Sequence, residues 1–151
     1  MAWTHYWKRP EHLDSDAFAA AVKDCKLLLA GIDVPLSGAE QQGEPVFTAD
    51  AIIFNGISGQ ACEPFMICVT EQPRHPNRPL LSHCKTQKLP YDLCVKCALV
   101  ILKHHMPDDI RVMSDGTDAD FDDAKQLCLS CLGYGSDFTL DTDEGSQRPG
   151  E

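Results

Sequence analysis

The stretch from Tyr91 to Met106, YDLCVKCALVILKHHM, constrains this chain more than any other. It has the length and pattern of a helix, and Pro107 stops it because proline cannot donate the next helical hydrogen bond. Lys96 and Lys103 are its only clearly polar interior residues, seven positions apart on one side. A helix this apolar is expected to be the most buried of the chain, so the other elements must cover it.

Those elements can be placed by local pattern. Ala2–Lys8, rich in aromatics and Thr, reads as a strand. Asp14 or Ser15 can cap a helix, because a short side-chain oxygen accepts from its free N–H groups. Phe18, Val22, Cys25 and Leu29 then share one helical stripe, and Gly31 is expected to end it in a left-handed conformation. Residues 35–45, PLSGAEQQGEP, read as a loop. Ala51–Asn55 and Glu63–Val69 are apolar and β-favouring, separated by the Gly-rich turn NGISGQ. Residues 70–90 hold four of the ten prolines and read as a long loop. Ile110–Ser114 reads as a short strand, and Asp118–Leu132 as a helix stopped by Gly133. The order is β-α-β-β-α-β with a third helix appended. It predicts a two-layer α+β fold of ferredoxin-like order, with helices on one face of an antiparallel sheet. A single domain is expected over residues 1–135. Residues 136–151, which lack periodicity, are expected to form an acidic, weakly ordered tail.

The formal charge is −10 over 151 residues, and it is unevenly placed. Residues 1–107 balance to −1 and residues 108–151 to −9. Nucleic-acid binding needs a basic face to displace counterions, so it is not expected. No apolar run approaches the roughly 20 residues that span a bilayer, so no membrane partner is expected either. The start, MAWTHYWKRP, lacks the apolar core of an export signal, which points to a reducing cytoplasm.

Eight cysteines are many for that compartment. Cys94 with Cys97, and Cys128 with Cys131, form two C-x-x-C pairs inside helical patterns. On a helix, positions i and i+3 share a face, so both pairs are expected to point into the core as reduced thiols, which behave as small hydrophobes. A tetrahedral zinc site remains a lower alternative, because zinc knuckles place such pairs on tight turns. No metal or other cofactor is expected. Cys84 differs. It stands in the polar stretch SHCKTQKLP between His83 and Lys85, where neighbouring cations favour a thiolate. Cys84 is therefore a candidate nucleophile, with His83, His104 or His105 as base. His104 and His105 also suit the negative end of the helix dipole.

Residues 72–91 carry Arg74, Arg78, Lys85 and Lys88 with no Asp or Glu, the one basic island in an acidic chain. The island feeds the N-terminus of the apolar helix, whose free N–H groups attract anions. Arg74, Arg78, Lys85, Thr86 and Lys88 are therefore candidate ligands for a phosphate-bearing or other anionic group. The competing reading is that these cations pair with the acidic C-terminal third. The run DGTDADFDD fails as a calcium loop. Counted from Asp118, an EF-hand would need Gly at its sixth position and Glu at its twelfth, where Asp123 and Leu129 stand. Asp118, Asp120, Asp122 and Asp123 read instead as cap and first-turn acids of the last helix.

The segments MAWTHYWKRP, GEPVFTADAIIFNG, CKTQKLPYDL (Cys84–Leu93), LKHH (Leu102–His105), VMSDG (Val112–Gly116) and DDAKQLCLSCLGYGSDF together resemble a family of small hypothetical bacterial proteins. The similarity covers most of the chain, with long insertions in some relatives between the FNG turn and the following strand. The resemblance implies one intact folded domain. That family has no assigned activity, so it supplies no catalytic residue.

The sequence thus leads to a small cytoplasmic binding or interaction protein that holds an anionic ligand or a protein partner at residues 74–91. The alternatives are a Cys/His-dependent hydrolase or transferase using Cys84 and, below it, a zinc-dependent interaction module. A homodimer through the free sheet face is also open.

Overall fold

The helix that composition demands be buried is the centre of the structure. In the computed structural model, which describes residues 3–77 and 79–142, α2 (Asp92–His105) is buried at every position from Cys94 to Leu102. Helix α1 (Ser15–Ala30) and helix α3 (Asp122–Leu132) pack against it. Asp14 caps α1, its Oδ2 accepting from the Ala17 N–H at 2.9 Å. Phe18, Val22, Cys25 and Leu29 are all buried, as the stripe predicts. Gly31 is not left-handed, however: its φ of −92° and ψ of −5° are right-handed. The chain leaves α1 through one tighter turn, with the Ile32 N–H donating to Leu29 O at 3.2 Å. Gly133, with φ of 83°, is the left-handed stop, and its N–H closes α3 on the carbonyls of Cys128 and Leu129. Before α3, a 3-10 turn spans Asp118–Phe121, where Asp120 Oδ2 accepts from both the N–H and the hydroxyl of Thr117.

The strands form two antiparallel sheets. In the first, β1 (Thr4–Arg9) lies between β6 (Leu80–Lys85) and β7 (Arg111–Ser114), and α2 connects the two outer strands. In the second, β4 (Ala51–Gly56) pairs with β2 (Leu36–Ser37), β3 (Val46–Phe47) and β5 (Phe65–Cys68). The chain is therefore α+β, as the element order predicts. It departs from the four-strand, single-sheet ferredoxin-like reading in having seven strands and two sheets.

Of the three additional strands, β2 and β6 arise in segments read as loops, and β3 lies just beyond the first of these segments. Residues 35–45 contain β2, held by the Ser37 hydroxyl donating to Gly56 O at 2.7 Å. Residues 70–90 contain β6. Pro73, Pro76 and Pro79 precede the strand and Pro90 follows it, so all four leave its ladder intact. The core between the sheets and helices is aromatic: Trp7, Phe18, Phe54, Phe65, Tyr91 and Phe121 are each under 2% exposed.

The packed chain also runs past Gly135. Phe138 is buried with its ring 5.3 Å from that of Phe121. Asp141 joins the edge of β7, its N–H donating to Val112 O and its carboxylate accepting from Val112 N, both at 2.8 Å. Residues 136–142 were expected in the weakly ordered tail because a terminal strand-like contact has no periodic signature. Residues 143–151 of that tail lie outside the described residues. Among the described residues, no helix is long and apolar enough to cross a membrane.

Candidate functional site

Strands β5 and β6 are edges of different sheets, brought side by side. At one end they are tied together. The Glu63 N–H donates to Lys85 O at 3.0 Å, and the Glu63 carboxylate accepts from Lys85 N at 2.8 Å. The Tyr91 hydroxyl donates to Glu63 O at 2.6 Å. Beyond that tie the edges part around an open cleft of about 570 Å³. Its apolar wall includes Met66 of β5 and Leu81 of β6, and its polar side carries Arg74, His75 and His83.

The charges in this cleft are unequally committed. Glu71 accepts from Arg9 Nη1 at 2.9 Å and from Cys68 N at 2.8 Å. Glu63 is held by Lys85 N and by His83 Nδ1, the latter at 3.1 Å. Arg74 and His75 are exposed and make no side-chain hydrogen bond or ion pair among the described residues. The cleft therefore offers the Arg74 guanidinium and the His75 ring beside acids that are already hydrogen-bonded.

The basic island is not one site. Arg74 lines the cleft, and Arg78 lies outside the described residues. Lys85 ends β6. Thr86 is fully buried, and its hydroxyl is spent on the Asp92 carboxylate at 2.5 Å. Lys88 places its ammonium 4.0 Å from the centre of the Trp3 ring. The turn that separates these residues is unusual: Gln87 and Lys88 have φ of 55° and 59°. Left-handed conformations cost non-glycine residues about 1–2 kcal/mol each. Trp3 O compensates by accepting from the N–H groups of Thr86 and Gln87, and Thr86 Oγ1 accepts from Lys88 N.

At the start of α2 the hydroxyl expected to help hold an anion, that of Thr86, is thus taken by the chain's own Asp92. A second cleft of about 520 Å³ opens there, but Asp92, Asp120 and Asp123 outnumber Lys88 and Lys96 on its walls. Lys96 is already committed to Asp123 at 2.9 Å and to Asp120 O at 2.7 Å.

The polar centre that sequence reading missed is His5. Its ring is fully buried, with Nε2 at 2.7 Å from Asp92 Oδ1 and Nδ1 at 2.8 Å from Ser114 Oγ. Ser114 Oγ also accepts from Gly116 N at 2.9 Å. Burial alone would push the Asp92 carboxyl up. The hydrogen bonds from His5 and Thr86, then the charges of His5 and Lys96, outweigh burial and hold it below the usual carboxylate value. The connectivity is serine–histidine–carboxylate. The enclosed ring makes it a tie among β1, β7 and α2 rather than an open catalytic centre. The available signal was the alternation of THYWKR, which puts His5, Trp7 and Arg9 on one side, all buried.

Cys84 is not a loop thiol. It is fully enclosed in β6, and burial, then the negative charges of Glu63 and Asp92, push its pKa far up. The thiolate expected from its cationic neighbours is therefore disfavoured, because alternation turns Cys84 inward while His83 and Lys85 turn away. His83 is solvent-exposed and pairs with Glu63. His105 pairs with Asp24 of α1 at 2.8 Å, where the Tyr134 hydroxyl also donates at 2.6 Å, and His104 stacks on the Tyr134 ring at 3.6 Å. Cys84 meets the Glu63 carbonyl from inside β6 while His83 meets the Glu63 carboxylate on its outer face, and His105 lies elsewhere against Asp24, so the three do not form one centre.

Cys25, Cys94, Cys97 and Cys128 are buried, whereas Cys131 is exposed. Cys131 has the right helical angle, but in the last turn of α3 it meets solvent instead of a neighbouring helix. Burial pushes Cys94 up to about 12, and the hydrogen bond with Cys128, then burial, push Cys97 further. Among the described residues, no group of three or more His, Cys, Asp or Glu is placed to hold a metal ion. In brief alkylation of the folded protein read by mass spectrometry, Cys131 should label first, while Cys25, Cys84, Cys94, Cys97 and Cys128 stay unlabelled until denaturant is added. Early labelling of Cys97 or Cys128 would show that the α2–α3 contact opens readily.

No family model, no curated protein and no solved structure matches this chain.

Proposed function

We propose that the chain is a small binding protein that takes an anionic group, phosphate or carboxylate, in the cleft between β5 and β6. The observation behind this reading is that Arg74 and His75 make no side-chain hydrogen bond or ion pair among the described residues, beside acids that are already engaged. A guanidinium presents a planar fork that matches two oxygens of phosphate or carboxylate. His83 and the Ser82 hydroxyl on β6 are the further polar groups within the cleft. A binding role is favoured over Cys84 catalysis because the Cys84 thiol is enclosed and held protonated.

Thermal unfolding tests the reading. With inorganic phosphate or pyrophosphate at 100 times its Kd, a single site adds about 2.7 kcal/mol to the native state. For a chain of this size that raises Tm by several degrees, at about 2–4 °C per kcal/mol. The rise should shrink with added sodium chloride, because exposed charges are screened. It should vanish in Arg74→Ala, while Lys88→Ala, which alters the other cleft, should keep it. If neither anion raises Tm at millimolar concentration, the site does not exist.

A further inference from the structure

The two walls of the cleft are open strand edges. Their backbone direction follows from the observed hydrogen bonds. Lys85 turns both its N–H and its C=O away from β1, toward Glu63. In an antiparallel strand this direction repeats every second residue, so Leu81 and His83 also point their backbone groups away from β1. On β5, Cys68 turns its N–H to Glu71 and its C=O to the Arg9 guanidinium, away from β4. Met66, two residues earlier, faces the same way. Both edges face the cleft, and among the described residues no hydrogen bond satisfies the outward backbone groups of Met66, Leu81 or His83.

Exposed edges of this kind are normally blunted by charge, proline or a covering segment. Here the covering groups stand only at the ends. Glu63 occupies one end, and Glu71 with Arg9 occupies the other. Between them lie two large apolar side chains left in water, Met66 at 46% exposure and Leu81 at 52%. Arg74, His75 and His83 border the same gap.

We infer that this gap receives an extended acidic peptide segment of another protein, which adds as a strand along the Leu81–His83 edge. The inference rests on the anion reading above and names its partner: the anionic groups are side-chain carboxylates of that segment. A bound strand supplies the backbone partners that Leu81 and His83 lack. Apolar side chains of the bound strand cover Leu81 and Met66, and its carboxylates meet Arg74 and His75 of the loop before β6. Charge complementarity selects the acidic partner. In a chain of net charge −10, Arg74 here has no acidic partner among the described residues, because Glu71 is held by Arg9 and Glu63 by Lys85 N and His83.

Fluorescence polarisation with a labelled Val-Glu-Val-Glu-Val-Glu-Val peptide provides the test. The full chain should bind it and should not bind the corresponding Val/Lys peptide. Arg74→Ala should weaken binding by about tenfold or more, as loss of a charged hydrogen bond does. The same acidic peptide N-methylated at alternate amides should also lose binding, because it can no longer pair with an edge. Leu81→Pro should abolish binding while leaving the far-ultraviolet circular dichroism unchanged, since that N–H makes no bond to β1.

Three results would overturn the inference. One is equal affinity for the N-methylated peptide, which reduces the site to a point anion site. Another is no peptide binding while phosphate still raises Tm, which keeps the anion site and removes the strand. The third is a dimer in sedimentation that Leu81→Pro dissolves, with no peptide bound, which makes a second copy the occupant of the edge.

Discussion

Replacing Asp92 with Ala is expected to cost about 3–5 kcal/mol, the range for removing one partner of a buried charged pair. Asp92 is 7% exposed and accepts from His5 and from the Thr86 hydroxyl, with Lys96 3.8 Å away. Its loss leaves the enclosed ring of His5 without a partner at Nε2, and the Thr86 hydroxyl without an acceptor. Asp92→Asn keeps the shape and one acceptor oxygen, so it should cost less. Urea unfolding at neutral pH measures both. The dependence on pH has a definite sign. The folded-state pKa of Asp92 lies below the ordinary value of 3.8. Its stabilisation is therefore complete above that value and is lost as pH falls through the depressed one. The gap between wild type and Asp92→Ala should be widest near neutrality and should close in acid below about pH 4. A gap that stayed constant down to pH 2 would mean that the carboxylate's charge does not matter.

Ile101→Ala should cost about 2–5 kcal/mol, the transfer loss plus the cavity left in a packed core. Ile101 is fully buried on α2, which touches α1 and α3. Because a domain of this size has only about 5–15 kcal/mol in hand, either substitution should lower the urea midpoint visibly. A cost under about 1 kcal/mol would mean that the surroundings collapse freely around α2, against the tight packing expected of a core.

Much of this architecture was legible before any coordinates. The α1 stripe and the stops at Pro107 and Gly133 all follow from local chemistry. So does the Asp14 cap, because a cap and its helix lie within four residues of each other. The candidate site was legible only in part. The surplus of basic residues around Arg74 could be seen, but not that Arg74 and Lys88 face different clefts. Two left-handed residues, Gln87 and Lys88, turn the chain between them, and neither residue type announces that conformation. Cys84 was misplaced for a related reason. Its neighbours are polar, but in a strand neighbours point to opposite sides.

The sequence by itself determined that α2 is buried, that α1 carries one apolar face, and that the chain mixes helices with antiparallel strands. These properties are periodic, and a period is a local quantity. Only the tertiary structure decided which distant groups meet. His5 finds Asp92 across 87 positions and Ser114 across 109. Two sheets form where one was expected, and their edges come together beside Arg74. Pairing of that kind depends on which surfaces remain uncovered once the core has closed around α2, and no local pattern encodes it.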